Sequence, residues 1–280
     1  MLAVVTDSIA CLPLELVERY HIRVVPVRIV RGERVYRDGV DVTPEEAFAW
    51  LEAGEVLTTA QPAVGEFLDT YEELSRIATG IVSIHVSSGV TGVVQAAAAA
   101  ARLIERIPIR VVDSRAATMA EGFLVLAAAR LAEQGADLET IVRRVEELRS
   151  QVRFFAVLDT VTYLVRSGRA PWLAQLAVDM LQVKPILTLR DGKIVSLERV
   201  RTRRRAIEAM LRRMEQDVGE RPVHVGVLHA GAAEEAAELR QTIEERFQVV
   251  ESFVTPFTAA MAIHTGPGLL GLAYCAESPA

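Results

Sequence analysis

Short apolar runs alternating with polar, helix-forming stretches organise the first half of the chain. Leu2-Ala3-Val4-Val5 reads as a strand, closed by Thr6-Asp7-Ser8, and Pro13 to Tyr20 follows as a helix. Ile22 to Val30 reads as a second strand, continuous with a turn at Gly32. Thr43-Pro44-Glu45-Glu46 marks a helix start, with Thr43 as cap, Pro44 at the first helical position and Glu46 closing a capping box. Ile81 to Val86 is apolar and passes into Ser87-Ser88-Gly89-Val90-Thr91-Gly92, after which an Ala-rich helix extends to about Arg106. Ile109 to Val112 ends in Asp113-Ser114, with a helix to Ala132 behind it. Short apolar strands alternating with helices predict an α/β fold with a parallel sheet covered on both faces. Ligand sites in such sheets lie at the carboxyl ends of the strands.

The pattern changes after the turn Gln134-Gly135-Ala136-Asp137 and the amphipathic helix Leu138 to Arg149. Phe154 to Leu158 is a strand, and a short helix is expected at Val161 to Val165, before Ser167-Gly168-Arg169. Ile186 to Leu189 and Lys193 to Val200 flank Asp191-Gly192, the signature of a two-residue hairpin turn. Val223 to Leu228, a helix from about Ala233 to Phe247, Val249 to Val254 and a final strand from Leu269 to Ala276 complete a mixed sheet with helices. At 280 residues the chain is long for a single core. Two domains are therefore expected: residues 1–150 as a parallel-sheet α/β domain and residues 151–280 as a mixed-sheet α/β domain.

Composition narrows the function classes. A net charge of −6 argues against general binding to nucleic acid or anionic membranes. Cys11 and Cys275 are far apart and lack metal-ligand spacing, so both are expected to be reduced and buried, with no metal or cofactor implied. The amino terminus enters a strand without a basic region, which is not a signal-peptide pattern. No apolar run reaches the roughly 20 residues needed to span a bilayer. A cytoplasmic monomer is the default expectation.

Hydroxyl groups concentrate at the predicted junctions: Asp7-Ser8, Thr58-Thr59, Ser87-Ser88, Thr91 and Asp113-Ser114. Each pair by itself suits helix capping. Their convergence on one edge would form an anion site from helix N-termini and hydroxyls. Thr58-Thr59-Ala60-Gln61-Pro62 is the best candidate, with Pro62 opening the helix that carries Phe67 to Leu74.

A second candidate lies near the carboxyl end, in His264-Thr265-Gly266-Pro267-Gly268-Leu269-Leu270-Gly271. Gly266 falls where a helix C-cap is expected. That places His264 in the last turn of a helix over Pro256 to Ile263, where the helix dipole favours a protonated, anion-holding imidazole. The spacing Gly266-x-Gly268-x-x-Gly271 is not a dinucleotide fingerprint, which requires a strand before it and a helix after it. Arg199, Arg201, Arg203, Arg204 and Arg205 form a basic cluster. It reads as a solvated helix start or as a docking patch for an acidic or phosphorylated partner.

These segments taken together resemble the DegV family of bacterial fatty-acid-binding proteins. Val5-Thr6-Asp7-Ser8 with Leu12-Pro13, Thr58-Thr59-Ala60-Gln61-Pro62 and Ser87-Ser88-Gly89-Val90-Thr91-Gly92 resemble family motifs. Val112-Asp113-Ser114, Ser167-Gly168-Arg169, Arg201-Thr202-Arg203 and His264-Thr265-Gly266-Pro267-Gly268 follow in family order across nearly the whole chain. The resemblance implies one long-chain fatty acid between two α/β domains, and a partner fatty-acid kinase that phosphorylates its carboxylate to an acyl phosphate for phospholipid synthesis. It implies carboxylate binding by Thr59, Thr91 and His264. Thr58, Ser87, Ser88, Gly89, Arg169, Gly266 and Gly268 would support them, and Arg201, Arg203 and Arg204 would face the kinase. It also leaves room for transient membrane contact. The chain departs from the family pattern at Ala60, Ala63 and Thr91, where serines are usual; Thr91 keeps its hydroxyl and the two alanines lose theirs. Two enzyme readings compete. One is a phosphotransferase subunit resembling dihydroxyacetone kinase, with His264 holding a small carbonyl substrate. The other is a serine hydrolase built on Ser87 or Ser88 with His264, which lacks a nucleophile elbow.

Overall fold

A computed structural model describes residues 1–177 and 183–277. The elements run β1 (Ala3–Asp7), α1 (Leu14–Arg19), β2 (Arg23–Val25), β3 (Arg28–Arg31), β4 (Arg34–Arg37), α2 (Pro44–Glu52), β5 (Leu57–Ala60), α3 (Val64–Leu74), β6 (Ile81–His85), α4 (Val93–Ala101), β7 (Ile109–Asp113), α5 (Met119–Glu133) and α6 (Leu138–Arg149). They continue as β8 (Arg153–Val157), α7 (Thr162–Arg166), α8 (Ala174–Ala177), β9 (Lys184–Arg190), β10 (Lys193–Val200), α9 (Arg203–Val218), β11 (Val223–His229), α10 (Ala233–Arg246), β12 (Val249–Pro256), α11 (Ala259–Thr265) and β13 (Leu270–Ala276).

The fold is α/β, with a parallel-sheet N-terminal part and a mixed-sheet C-terminal part. The first sheet has the order β2-β1-β6-β7 and every neighbour in it is parallel. β6 is buried along its whole length, as a strand covered on both faces must be. The larger sheet has the order β10-β9-β8-β13-β11-β12, antiparallel except where β11 meets β12. α5 lies between the two sheets, packing on β1 and β6 on one side and on β8, β11 and β13 on the other. Its apolar surface runs nearly all round, from Met119 through Phe123 and Leu126 to Ala132, as such a position demands.

Local signals were reliable. Thr43 and Glu46 form the expected capping box, with Glu46 N donating to Thr43 Oγ1 at 3.2 Å and Thr43 N donating to Glu46 Oε2 at 2.8 Å. Asp191 and Gly192 join β9 to β10 with φ of +49° and +75°, the all-positive turn that suits the right-handed twist of a hairpin. Cys11 and Cys275 are free and buried.

Two expectations require correction. Ile22 to Val30 is not one strand. Pro26 has no amide hydrogen to donate to a ladder, and the chain breaks there into β2, in the parallel sheet, and β3, in a separate antiparallel sheet of order β4-β3-β5. Thr58 and Thr59 then lie within β5 of that small sheet, rather than at a strand-to-helix junction of the parallel one.

Most of the sheet-edge polar groups hold the fold together. Asp7 is fully buried: one oxygen accepts from Ile9 N at 3.0 Å, the other accepts from Val86 N at 3.0 Å and faces His85 Nδ1 at 3.0 Å. Ser8 Oγ accepts from Val27 N, and Asp113 accepts from Arg115 N. These groups satisfy backbone donors where strands end, which a buried edge requires.

Candidate functional site

A cavity of about 560 Å³ lies between the two parts of the chain. Ile9, Val27 and Val86 border it from the N-terminal part, Ala156, Leu187 and Leu189 from the large sheet. α11 crosses it and contributes Ala260, Met261 and His264. Apolar side chains dominate the lining, and among the described residues the polar ones are Thr59, Gln61, Thr91, Arg169, Thr188, His264 and Thr265.

Three of these polar groups form a chain of contacts. Arg169 Nη2 donates to Thr59 Oγ1 at 3.3 Å, and Thr59 Oγ1 lies 2.7 Å from His264 Nε2. A guanidinium only donates. Thr59 therefore accepts from it and can donate its single proton to His264 Nε2, the arrangement in which Nδ1 carries the ring proton. That tautomer is assigned from the donor pattern. His264 Nδ1 is buried and has no hydrogen-bond partner among the described residues. Arg169 Nη1 donates to Ser167 O at 2.7 Å, and among the described residues no carboxylate lies within ion-pair distance of this half-buried guanidinium. Burial lowers its pKa from the usual arginine value.

The charge expected at His264 is overturned. α11 does end at Gly266, as the C-cap signal predicts. Burial, reinforced by the neighbouring Arg169 cation, nevertheless pushes the imidazole down to about 3. A helix dipole contributes a fraction of a unit charge at a seven-residue helix end, and desolvation outweighs it. The cation at this end of the cavity is Arg169, and His264 is neutral.

Several elements hold this end in place. Asp38 Oδ1 accepts from Ala260 N at 2.9 Å, capping α11 from the far end of the sequence. Gly266 adopts φ +71°, and a Cβ there would stand 2.2 Å from the Tyr163 ring, so only glycine lets α11 close against α7. Gly268 donates to Ala230 O at 2.7 Å and accepts from Arg203 Nη1 at 2.6 Å. A Cβ on it would meet Asp159 at 2.1 Å.

The remaining sequence candidates fall outside the cavity. Thr58 is exposed, because successive residues of a strand point to opposite faces and Thr59 takes the inner one. Ser87 Oγ donates to Gly192 O at 2.8 Å and Ser88 Oγ donates to Asp113. Gly89 packs so tightly on Gly192 that a Cβ would come within 2.4 Å of its carbonyl oxygen. This stretch therefore pins the β9–β10 hairpin to the loop that carries Thr91. Neither serine touches His264, which removes the hydrolase reading. Arg203 is not a free docking residue: it is bound to Glu235, to Asp159 Oδ1 at 3.0 Å and to Gly268 O. Arg201 and Arg204 are exposed. Sequence reasoning missed Asp38, whose position next to Gly39 carries no signal for a contact with residue 260.

Among the described residues, no group of three or more His, Cys, Asp or Glu side chains is placed to hold a metal. Nor is any described helix long and apolar enough to cross a membrane.

Comparison with known proteins places this geometry in context. The family model described as "Uncharacterised protein, DegV family" matches residues 1–277. Protein DegV of Bacillus subtilis is 34% identical over 277 residues, covering 98% of this chain and 99% of the relative. Among solved structures, a fatty-acid-binding DegV family protein from Thermus thermophilus superposes with a TM-score of 0.93 at 32% identity, covering 99% of both chains. DegV from Bacillus subtilis, described as a fatty acid binding protein, gives 0.91 at 33% identity with the same coverage. A stearic-acid-binding protein from Eubacterium ventriosum gives 0.88 at 25% identity, covering 99% of this chain and 98% of that one.

Proposed function

The chain belongs to the DegV family, and on that premise we propose that it binds one long-chain fatty acid and presents the carboxylate to a partner kinase. The observation that carries the reading is Arg169, which has no carboxylate partner among the described residues, at the polar end of an otherwise apolar cavity. A buried carboxylate has only acceptors and needs several donors. Arg169 supplies the charge-assisted one, the Thr91 hydroxyl a second, and the Nδ1 proton of neutral His264 a third. Thr59 links Arg169 to His264 and sets the ring's tautomer.

The acyl tail supplies the driving force. At about 0.8 kcal/mol per buried CH₂, a chain of ~15 methylenes contributes on the order of 12 kcal/mol before association costs. The cavity volume lies within the range of pockets that bury most of a small ligand. Arg169 keeps the carboxylate ionised, which is its nucleophilic form. On the kinase, a carboxylate oxygen attacks the terminal phosphorus of a nucleoside triphosphate, an O–P bond forms, the bond to the diphosphate breaks, and an acyl phosphate results. The protein itself is a binding and presenting subunit in this reading. The exposed Arg201 and Arg204 flank Arg203, whose bond to Gly268 O ties the arginine segment to the turn after His264. That proximity supports kinase docking near the head group.

Native mass spectrometry of the protein purified from a bacterial host tests the first step. A mass increment of one long-chain fatty acid, released on denaturation and identified by chromatography, is expected. A lipid-free protein that stays lipid-free after incubation with palmitate and oleate overturns the reading.

A further inference from the structure

We propose that a second cavity, basic and separate from the acyl pocket, binds a phosphate ester. It has a volume of about 570 Å³ and, among the described residues, shares only Phe154, Thr188 and Leu189 with the lining of the first. Five arginines reach it from five places in the fold: Arg115 in the loop after β7, Arg149 on α6, Arg153 on β8, Arg190 at the end of β9 and Arg213 on α9. The acids that face them are Glu146, Asp191 and Asp217.

The pairing is incomplete. Arg213 is bound to Glu198 at 3.0 Å, and Arg153 lies 3.6 Å from Asp217. Asp217 also accepts the Tyr274 hydroxyl. Arg149 donates to the Asp113 carbonyl at 3.2 Å. Among the described residues, neither Arg115 nor Arg190 has a carboxylate within ion-pair distance. Among the described residues, these five guanidiniums meet four carboxylates, three in the lining and Glu198 beside Arg213, and Arg115 and Arg190 are left without an ion-pair partner in a chain whose net charge is −6. An anion of about two charges can meet the Arg115 and Arg190 guanidiniums together.

The chemistry selects phosphate over carboxylate. A phosphate monoester carries about −1.5 to −2 charge near pH 7 and three strong acceptor oxygens, and guanidinium forks bind such oxygens in pairs. A carboxylate offers one charge and only two oxygens to the two guanidinium forks of Arg115 and Arg190. Phe155 and Leu197 add apolar wall to the shared Phe154 and Leu189, which suits an ester with an organic portion better than the inorganic ion. The ester is either a soluble metabolite or the headgroup of a lipid, since both present the same group.

Isothermal titration of the full chain with glycerol 3-phosphate and with pyrophosphate tests the site. Flotation with vesicles of phosphatidylglycerol in phosphatidylcholine, against phosphatidylcholine alone, separates the two sources. The expected result is saturable binding that the double variant Arg115→Gln, Arg190→Gln weakens at least ten-fold and Arg204→Gln leaves unchanged. Circular dichroism and fatty-acid occupancy report whether the variants fold, and Arg190→Gln alone, at an exposed strand end, serves if the double variant does not. Capture by phosphatidylglycerol vesicles alone, lost in the variant, supports the site with a lipid source. No binding of any probe, or binding unchanged in the variants, overturns the proposal.

Discussion

Replacing Arg169 by glutamine separates a ligand-binding cation from a structural one. In the protein as it stands, Arg169 donates to Ser167 O at 2.7 Å and to Thr59 Oγ1 at 3.3 Å, with no carboxylate partner among the described residues. Loss of the shorter bond costs about 1 kcal/mol. Removal of a half-buried charge that nothing neutralises offsets that cost, because desolvation already disfavours it. Stability of the lipid-free variant should therefore lie within about 1 kcal/mol of the parent. Affinity for palmitate should fall far more. A hydrogen bond between charged groups contributes about 1.5–3 kcal/mol, which corresponds to about 10- to 150-fold in Kd. Hexadecanol, which has the tail without the charge, should lose much less. The assay is displacement of a fluorescent fatty acid, run beside urea denaturation of delipidated protein. Unchanged palmitate affinity would refute the assignment of Arg169 to the head group, as would a lipid-free variant destabilised by more than about 3 kcal/mol, the signature of a broken structural ion pair.

Four further outcomes are expected. His264 has a folded pKa of about 3 against an ordinary value of 6.5, so between those values the unfolded chain binds more protons and stability rises with pH. Urea midpoints should fall on acidification from pH 6.5 towards 3, and His264→Gln should flatten that slope. Thr91→Ala should weaken fatty-acid retention by roughly 1–3 kcal/mol, the cost of one donor lost to a buried charge; unchanged retention in a competition assay removes Thr91 from the head group. Arg203→Met should lower the melting temperature and the fatty-acid occupancy together, because it strips Glu235, Asp159 and Gly268 of their shared partner. Arg201→Glu with Arg204→Glu should leave both unchanged while abolishing kinase-dependent phosphorylation; loss of lipid binding in that pair would make the segment structural instead.

The corrections share a cause. Thr58 and Thr59 are adjacent hydroxyls, equivalent in sequence, and only the pleat of β5 sends one inward and the other to solvent. Ser87 and Ser88 look like ligand donors because their loop opens a helix, yet their partners, Gly192 and Asp113, lie 105 and 25 residues away. Arg203 belongs to a basic run on paper and to an ion-pair network in space. His264 is the sharpest case. Its position at a helix end was legible from Gly266, while its charge was not, because the dipole is a local property and burial is not.

The sequence alone therefore determined what near neighbours determine. The α/β alternation follows from the period of apolar residues, the start of α2 from Thr43 and Glu46, the β9–β10 turn from Asp191-Gly192, and the end of α11 from Gly266. Each signal acts within a few residues, where backbone geometry and hydrogen bonding are set by the chain itself. The tertiary structure decided the site. Thr59 and His264 are 205 residues apart and meet at 2.7 Å; Asp38 caps a helix 222 residues away. Whether a polar side chain there is paired, neutral or charged depends on what surrounds it after packing, because desolvation and partner supply, not residue type, fix its protonation state.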